Sequence, residues 1–122
     1  MPPRGGLQPA EVLVAEGVTR YTDPGPAPNS WVDHLGARHM SLGTYSMPAG
    51  GIDDQMPHRE DEIYVVTQGR ATLTVGNDTV PVAAGSAVHV PAGLPHRFVD
   101  VTEDLVVLVV FSPPYTGRQP GS

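Results

Sequence analysis

The sequence predicts an all-β protein, a sandwich or barrel of short strands closed into a single domain. Apolar and polar residues alternate over short runs, turn residues separate those runs at regular intervals, and no segment holds a helical period. The length of 122 residues suits one domain with a core that needs no covalent staples. That domain is expected over 10–112, between a loose N-terminal tail at 1–9 and a Pro/Gly-rich C-terminal tail at 113–122.

In order along the chain, Glu11 to Ala15 and Val18 to Thr22 read as short strands around Gly17. The stretch Asp23 to Asn29 carries three prolines, which remove backbone donors, so it is a loop that hands over to Trp31. Trp31, Val32 and Leu35 are expected across a barrel mouth, at a subunit contact or over a core edge. His39 to Met47 reads as a strand that Pro48-Ala49-Gly50-Gly51 ends. Ile63–Thr67 and Ala71–Val75 read as a strand pair joined at Gln68-Gly69-Arg70. In the second of these, Ala71, Leu73 and Val75 alternate with Thr72 and Thr74, the mark of a half-buried strand. Gly76-Asn77-Asp78 is a hairpin turn, since Gly and Asn tolerate positive φ. Strands follow over Thr79–Val82, Ala87–Val90 and His96–Val101. The run Asp104 to Phe111 is almost wholly apolar, so both of its faces should be buried.

Composition removes whole classes of chemistry. There is no cysteine, hence no disulfide, thiolate zinc site, iron–sulfur cluster or cysteine nucleophile. All seven basic residues are arginine, which excludes Schiff-base chemistry and a phosphate-loop lysine. Arginine without lysine, beside abundant Pro, Gly, Ala and Val, is what a GC-rich coding genome tends to produce, and a bacterial origin is expected. A net charge of −6 with scattered arginines argues against nucleic acid. No apolar signal core or membrane-length run is present, so a cytoplasmic protein without membrane contact is expected. No serine sits in a nucleophile elbow, and no Gly-rich phosphate loop precedes a helix.

Two stretches carry the candidate chemistry. In Gly50 to Gly69, a turn-rich approach delivers His58 and Glu62 opens a β-branched run. Residues four apart on a strand face one side, so His58 and Glu62 can both point inward. In Gly85 to Asp100, His96 follows Pro91 and Gly93, and barrel closure could bring it to the other two. Imidazole nitrogens and a carboxylate that converge are the donors a divalent metal needs.

These stretches resemble the paired motifs of the cupin superfamily. The first motif runs Gly, five residues, His-x-His, three or four residues, Glu, six residues, Gly; here Gly50, His58, Glu62 and Gly69 fall in register. The second runs Gly, five residues, Pro-x-Gly, two residues, His, three residues, Asn; Gly85, Pro91, Gly93 and His96 match, with Asp100 in the last place. The resemblance covers about residues 39–111. It implies a jelly-roll β-barrel (a double-stranded β-helix) that holds one divalent metal, iron, manganese or zinc before copper or nickel. It also implies a small-molecule substrate or ligand and a homodimer, for which the apolar final strand and the Pro-rich N-terminal arm are the natural edges.

Met56 stands where the family places its first histidine. Gln55 could fill the place through its amide oxygen if Pro57 bulges the strand. Met56 could bind instead, although a thioether favours soft ions such as copper(I). An empty place would leave two histidines and one carboxylate with open positions, the pattern of iron(II) oxygenases, and a site that has lost its metal is a further alternative. The metal set implied is thus His58, Glu62 and His96, with Gln55 as candidate fourth ligand.

Strand parity with Glu62 makes Tyr64 a candidate pocket acid or hydrogen-bond donor, and with zinc or manganese either Tyr64 or a hydroxide on the metal would be the base. Met56, Tyr45, Met47 and Phe98 are candidate pocket residues. Glu60 and Asp61 are expected in solvent, His34 and His39 at the surface or else as the source of a missing ligand, and His89 should face away from the pocket. Arg59 and Arg97 should point outward; an inward turn of either would favour an anionic substrate. The implied activities are dioxygenase chemistry on a small organic acid or phenol, or metal-assisted lyase, isomerase or cyclase chemistry. The alternative is a barrel that binds or senses a ligand without turnover.

Overall fold

The computed structural model describes residues 12–55 and 57–115. Met56 and the expected tail at 1–9 lie outside the described residues. Eight strands form: β1 (Ser30–Gly36), β2 (Ser41–Met47), β3 (Asp61–Gln68), β4 (Arg70–Val75), β5 (Asp78–Ala83), β6 (Ala87–Val90), β7 (His96–Val99) and β8 (Leu105–Ser112). They make a five-stranded sheet in the order β1-β2-β8-β3-β6 and a three-stranded sheet in the order β5-β4-β7. Every pairing is antiparallel. The inner faces of the two sheets meet in one core, where Met47, Leu73, Leu105 and Phe98 are among the largest fully buried side chains.

Alternation decides which residues enter that core. On β3, Glu62, Tyr64 and Val66 are buried while Asp61 and Ile63 are exposed. On β4, Ala71 and Leu73 point in, as their spacing predicts. β8 is buried along nearly its whole length because it lies between β2 and β3 with the core on one face. A strand in mid-sheet has no free edge, so β8 cannot be the dimer edge expected of it.

Two strand expectations fail. β3 and β4 are not a hairpin pair: β3 pairs with β6 and β8, and β4 with β5 and β7. The chain changes sheets at Gly69, whose φ of 92° lies in the left-handed region. A Cβ there would meet the backbone of Asp104 and Leu105. The described part of the early region, 12–22, forms no strand. It is tethered by side chains instead, through Thr22 N to Ser46 Oγ at 3.1 Å and Thr44 Oγ1 to the Val18 carbonyl. Without a ladder partner, β-branched residues alone do not make a strand.

β1 carries a bulge between Asp33 and Leu35. The residue between them, His34, is half-buried rather than exposed, with Nε2 at 2.7 Å from Thr44 Oγ1. His39 and His89 are exposed. Asp100 adopts φ 50°, a left-handed conformation that Asp and Asn tolerate better than other side chains, which fits either residue at that place.

Candidate metal centre

His58, Glu62 and His96 come together although they start from three different elements. Glu62 is the second residue of β3, in the larger sheet. His96 opens β7, in the smaller sheet. His58 sits in the loop before β3 and not on a strand, so loop geometry aims it and strand parity does not. The Gly93 N–H donates to the His58 carbonyl at 2.7 Å, which ties that loop to the turn preceding His96.

One ligand atom from each residue lies within 4.8 Å of the other two, and all three side chains are buried. His96 Nδ1 stands 2.8 Å from the Leu94 carbonyl. A carbonyl can only accept, so Nδ1 carries a proton, and Nε2 is the ring atom turned toward Glu62. Nε2 is 3.2 Å from Glu62 Oε2 but lacks the direction of a hydrogen bond. His58 Nδ1 and Glu62 Oε1 are likewise buried without a hydrogen-bond partner. Polar atoms left without a hydrogen bond in a core cost about 1–3 kcal/mol each unless something fills the place between them. Two nitrogens and an oxygen suit a divalent metal. The residues present therefore fit such an ion.

Burial lowers the His58 imidazole below its ordinary range, against the opposing pull of the Glu62 charge. At His96 burial also lowers, but the Glu62 contact, the Leu94 carbonyl and the Glu62 charge together outweigh it and the net shift is upward.

A cavity of about 150 Å³ opens onto the site, with Tyr45, Gln55, His58, Glu62 and Tyr64 in its lining. Tyr64 donates its hydroxyl to Gln55 Oε1 at 3.1 Å. Burial, then the Glu62 and Asp53 charges, push the Tyr64 hydroxyl well above its ordinary value. Its one hydrogen is directed at Gln55. Gln55, the candidate fourth ligand, donates Nε2 to Asp53 Oδ2 at 2.6 Å, and its Oε1 accepts from Tyr64 with one lone pair left over. Met47 and Phe98 belong to the core and do not line the cavity. Met56 lies outside the described residues.

Several residues of the site escaped the sequence reading. Asp53 is buried and accepts from Tyr45 Oη, from the backbone and side-chain amides of Gln55, and from the Phe98 N–H. A lone aspartate in a turn-rich loop gave no signal. Glu60, expected in solvent, is buried, while Asp61 is exposed and caps Ala92 N at 2.8 Å. Tyr115, within the expected C-terminal tail, stacks on Phe111 with ring centroids 4.5 Å apart and meets His58 edge-on at 5.5 Å. Trp31 packs edge-on against both Phe111 and Tyr115. Residues 116–122 of that tail lie outside the described residues.

The family model described as the cupin domain matches residues 43–111, more than half of the chain. The chain is a cupin. A protein of Streptomyces coelicolor, the uncharacterized protein SCO3923, is 53% identical over 85 residues, which are 70% of this chain and 81% of that one. KdgF from Halomonas sp. superposes with a TM-score of 0.71 at 17% identity, covering 88% of this cupin and 97% of that chain. An RmlC-like cupin from Shewanella frigidimarina gives a TM-score of 0.67 at 17% identity, over 85% of this chain and 92% of its own. At those identities the likeness to the solved structures carries the fold alone. Among the described residues, no helix is long and apolar enough to cross a membrane.

Proposed function

We propose that this cupin is a metal-dependent enzyme acting on a small oxygen-bearing organic molecule. The observation that carries the reading is the buried cluster of His58, Glu62 and His96, in which each residue keeps a polar atom without a hydrogen bond and two of the three, His58 and Glu62, line the cavity. A divalent ion bound there would polarise a substrate oxygen, and iron would add dioxygen chemistry. The chain's own groups do the rest. Leu94 fixes the His96 ring, and aromatic side chains line much of the cavity. The Tyr64 hydroxyl is the nearby proton donor, held in place by Gln55. This supports dioxygenase, lyase, isomerase or cyclase chemistry over a site without turnover, because a three-ligand centre beside a cavity leaves room for a reactant.

Metal analysis of the freshly purified, untagged protein tests the proposal. About one equivalent is expected, lost in His58→Ala. A chain that takes up no iron, manganese, zinc, copper or nickel on reconstitution would defeat it. The identity of the metal retained then separates dioxygen chemistry from proton-transfer chemistry.

A homodimer is part of the same proposal. Its support is the N-terminal arm, where Val12, Leu13 and Val14 are exposed in a row. A monomer mass by light scattering at high protein concentration would defeat that part.

A further inference from the structure

Charge around the metal centre limits what can enter it. The chain has no lysine, and among the described residues no arginine lines the cavity. Arg59 and Arg97, each next to a ligand residue in sequence, are exposed. The acidic side is well supplied. Asp54 and Glu62 line the cavity, and Asp53 is buried close by, near enough for its charge to act on His58. A bound divalent ion would bring two positive charges against these three carboxylates. An entering carboxylate or phosphate therefore finds no cationic side chain, and in a partly buried site like charges repel much more than in water.

Shape gives the complementary half. A cavity of about 150 Å³ is the size that holds a single benzene-like ring. Its walls include Trp31, Tyr45, Tyr64, Phe111 and Tyr115, aromatic faces and edges suited to stacking on a ring. Polar groups near the entrance already spend one of their two amide hydrogens on carboxylates: Asn29 on Asp54 at 3.1 Å and Gln55 on Asp53 at 2.6 Å. The Asp54 carboxylate offers acceptors only, which match a hydroxyl on the ligand.

We propose that the cavity takes an uncharged, single-ring hydroxylated compound of the phenol or catechol class and discriminates against its carboxylated homologue. The assignment rests on the reading of His58, Glu62 and His96 as the centre of the site, and names the substrate class of that site. Asp54 is the residue that sets the preference, since it is exposed at the rim and free of any fold role beyond its bond to Asn29.

The test is calorimetric titration of the zinc-loaded full chain with catechol and with protocatechuate, which carries the same diol and one added carboxylate. Zinc does not change oxidation state, so binding is read without turnover. Catechol is expected to bind at least about tenfold more tightly. Asp54→Asn should narrow that ratio by about threefold or more, and added salt should narrow it in the wild type. Equal or tighter binding of protocatechuate, or no binding of either to a chain that holds zinc, would overturn the proposal. A chain that retains no zinc overturns the metal reading alone. The charge preference is then measured on the metal-free chain with phenol against para-hydroxybenzoate, and the same order is expected; the reverse order overturns it there too.

Discussion

Asp53 Oδ2 accepts the side-chain amide of Gln55 at 2.6 Å, and Gln55 in turn presents Oε1 to the Tyr64 hydroxyl. The two oxygens of this one buried carboxylate receive four donors in all, among them the backbone N–H of Phe98 on β7 and the hydroxyl of Tyr45 on β2. Asp53 therefore ties the loop carrying the site to both sheets.

Replacing Asp53 by Asn is expected to cost about 2–4 kcal/mol of stability. The substitution removes one acceptor oxygen and sets an NH₂ group against donors that then lose their partners. Asp54→Asn, at an exposed position, should stay within about 0.5 kcal/mol. Urea unfolding of both variants is the check, and equal losses would refute the role given to Asp53.

Gly43 sits beneath the indole of Trp31, and a Cβ there would overlap the ring. Gly43→Ala should destabilise the chain by about 1–3 kcal/mol through overpacking, and should push Trp31 off Phe111 and Tyr115. Trp31 is the single tryptophan, so its emission reports the displacement directly. Unchanged emission together with unchanged stability would mean that the backbone yields at no cost.

How much of this could be read in the sequence depends on where the deciding interaction lies. Strands such as β4 were legible because alternation of Ala71, Leu73 and Val75 with threonines is a property of the strand itself. The convergence of His58, Glu62 and His96 was legible only through the spacing of two motifs, since nothing local in either stretch says that the sheets bring them together. The change of sheet at Gly69 was not legible. Two apolar runs joined by a glycine look like a hairpin, and only the strands that flank β3 and β4 decide otherwise. Tyr115 and Asp53 were missed for a related reason. Each is a single residue in a Pro- or Gly-rich segment, and its importance lies in partners distant in sequence, Ser41, His58 and Phe98 among them. The region 12–22 shows the converse: strand propensity was present and the ladder partner was not.

Glu62 separates metal binding from packing. Glu62→Gln keeps the volume of the buried side chain and removes its charge beside two imidazoles. The wild type should gain about 2.7 kcal/mol of stability when a fitting divalent metal is present at a hundred times its dissociation constant. The variant should lose most of that gain while its metal-free stability stays near that of the wild type. Thermal unfolding with and without metal measures both quantities. A metal-dependent gain that survives in Glu62→Gln would place the binding elsewhere.

The Tyr45 hydroxyl donates to Asp53 at 2.8 Å, and burial, followed by the Asp53 charge and the bond to Asp53, raises it far above its ordinary value. In the unfolded chain the same phenol ionises near pH 10. A group whose folded-state value is raised gives stability that is fully present below its unfolded value and is lost as pH climbs above it. Above about pH 10 the unfolded state releases a proton that the folded state keeps, so unfolding is favoured by about 1.4 kcal/mol per pH unit for this residue. Tyr64 is raised in the same direction and adds to the slope. Tyr45→Phe should therefore be less stable than the wild type at neutral pH, by about 1–3 kcal/mol for the lost bond to a buried carboxylate. Its stability should also fall less steeply between pH 10 and 11, by about the contribution of one tyrosine. Denaturant titrations across that range give the two slopes. Parallel slopes would show that Tyr45 ionises as readily in the folded chain as in the unfolded one, and that the contact with Asp53 does not hold its proton.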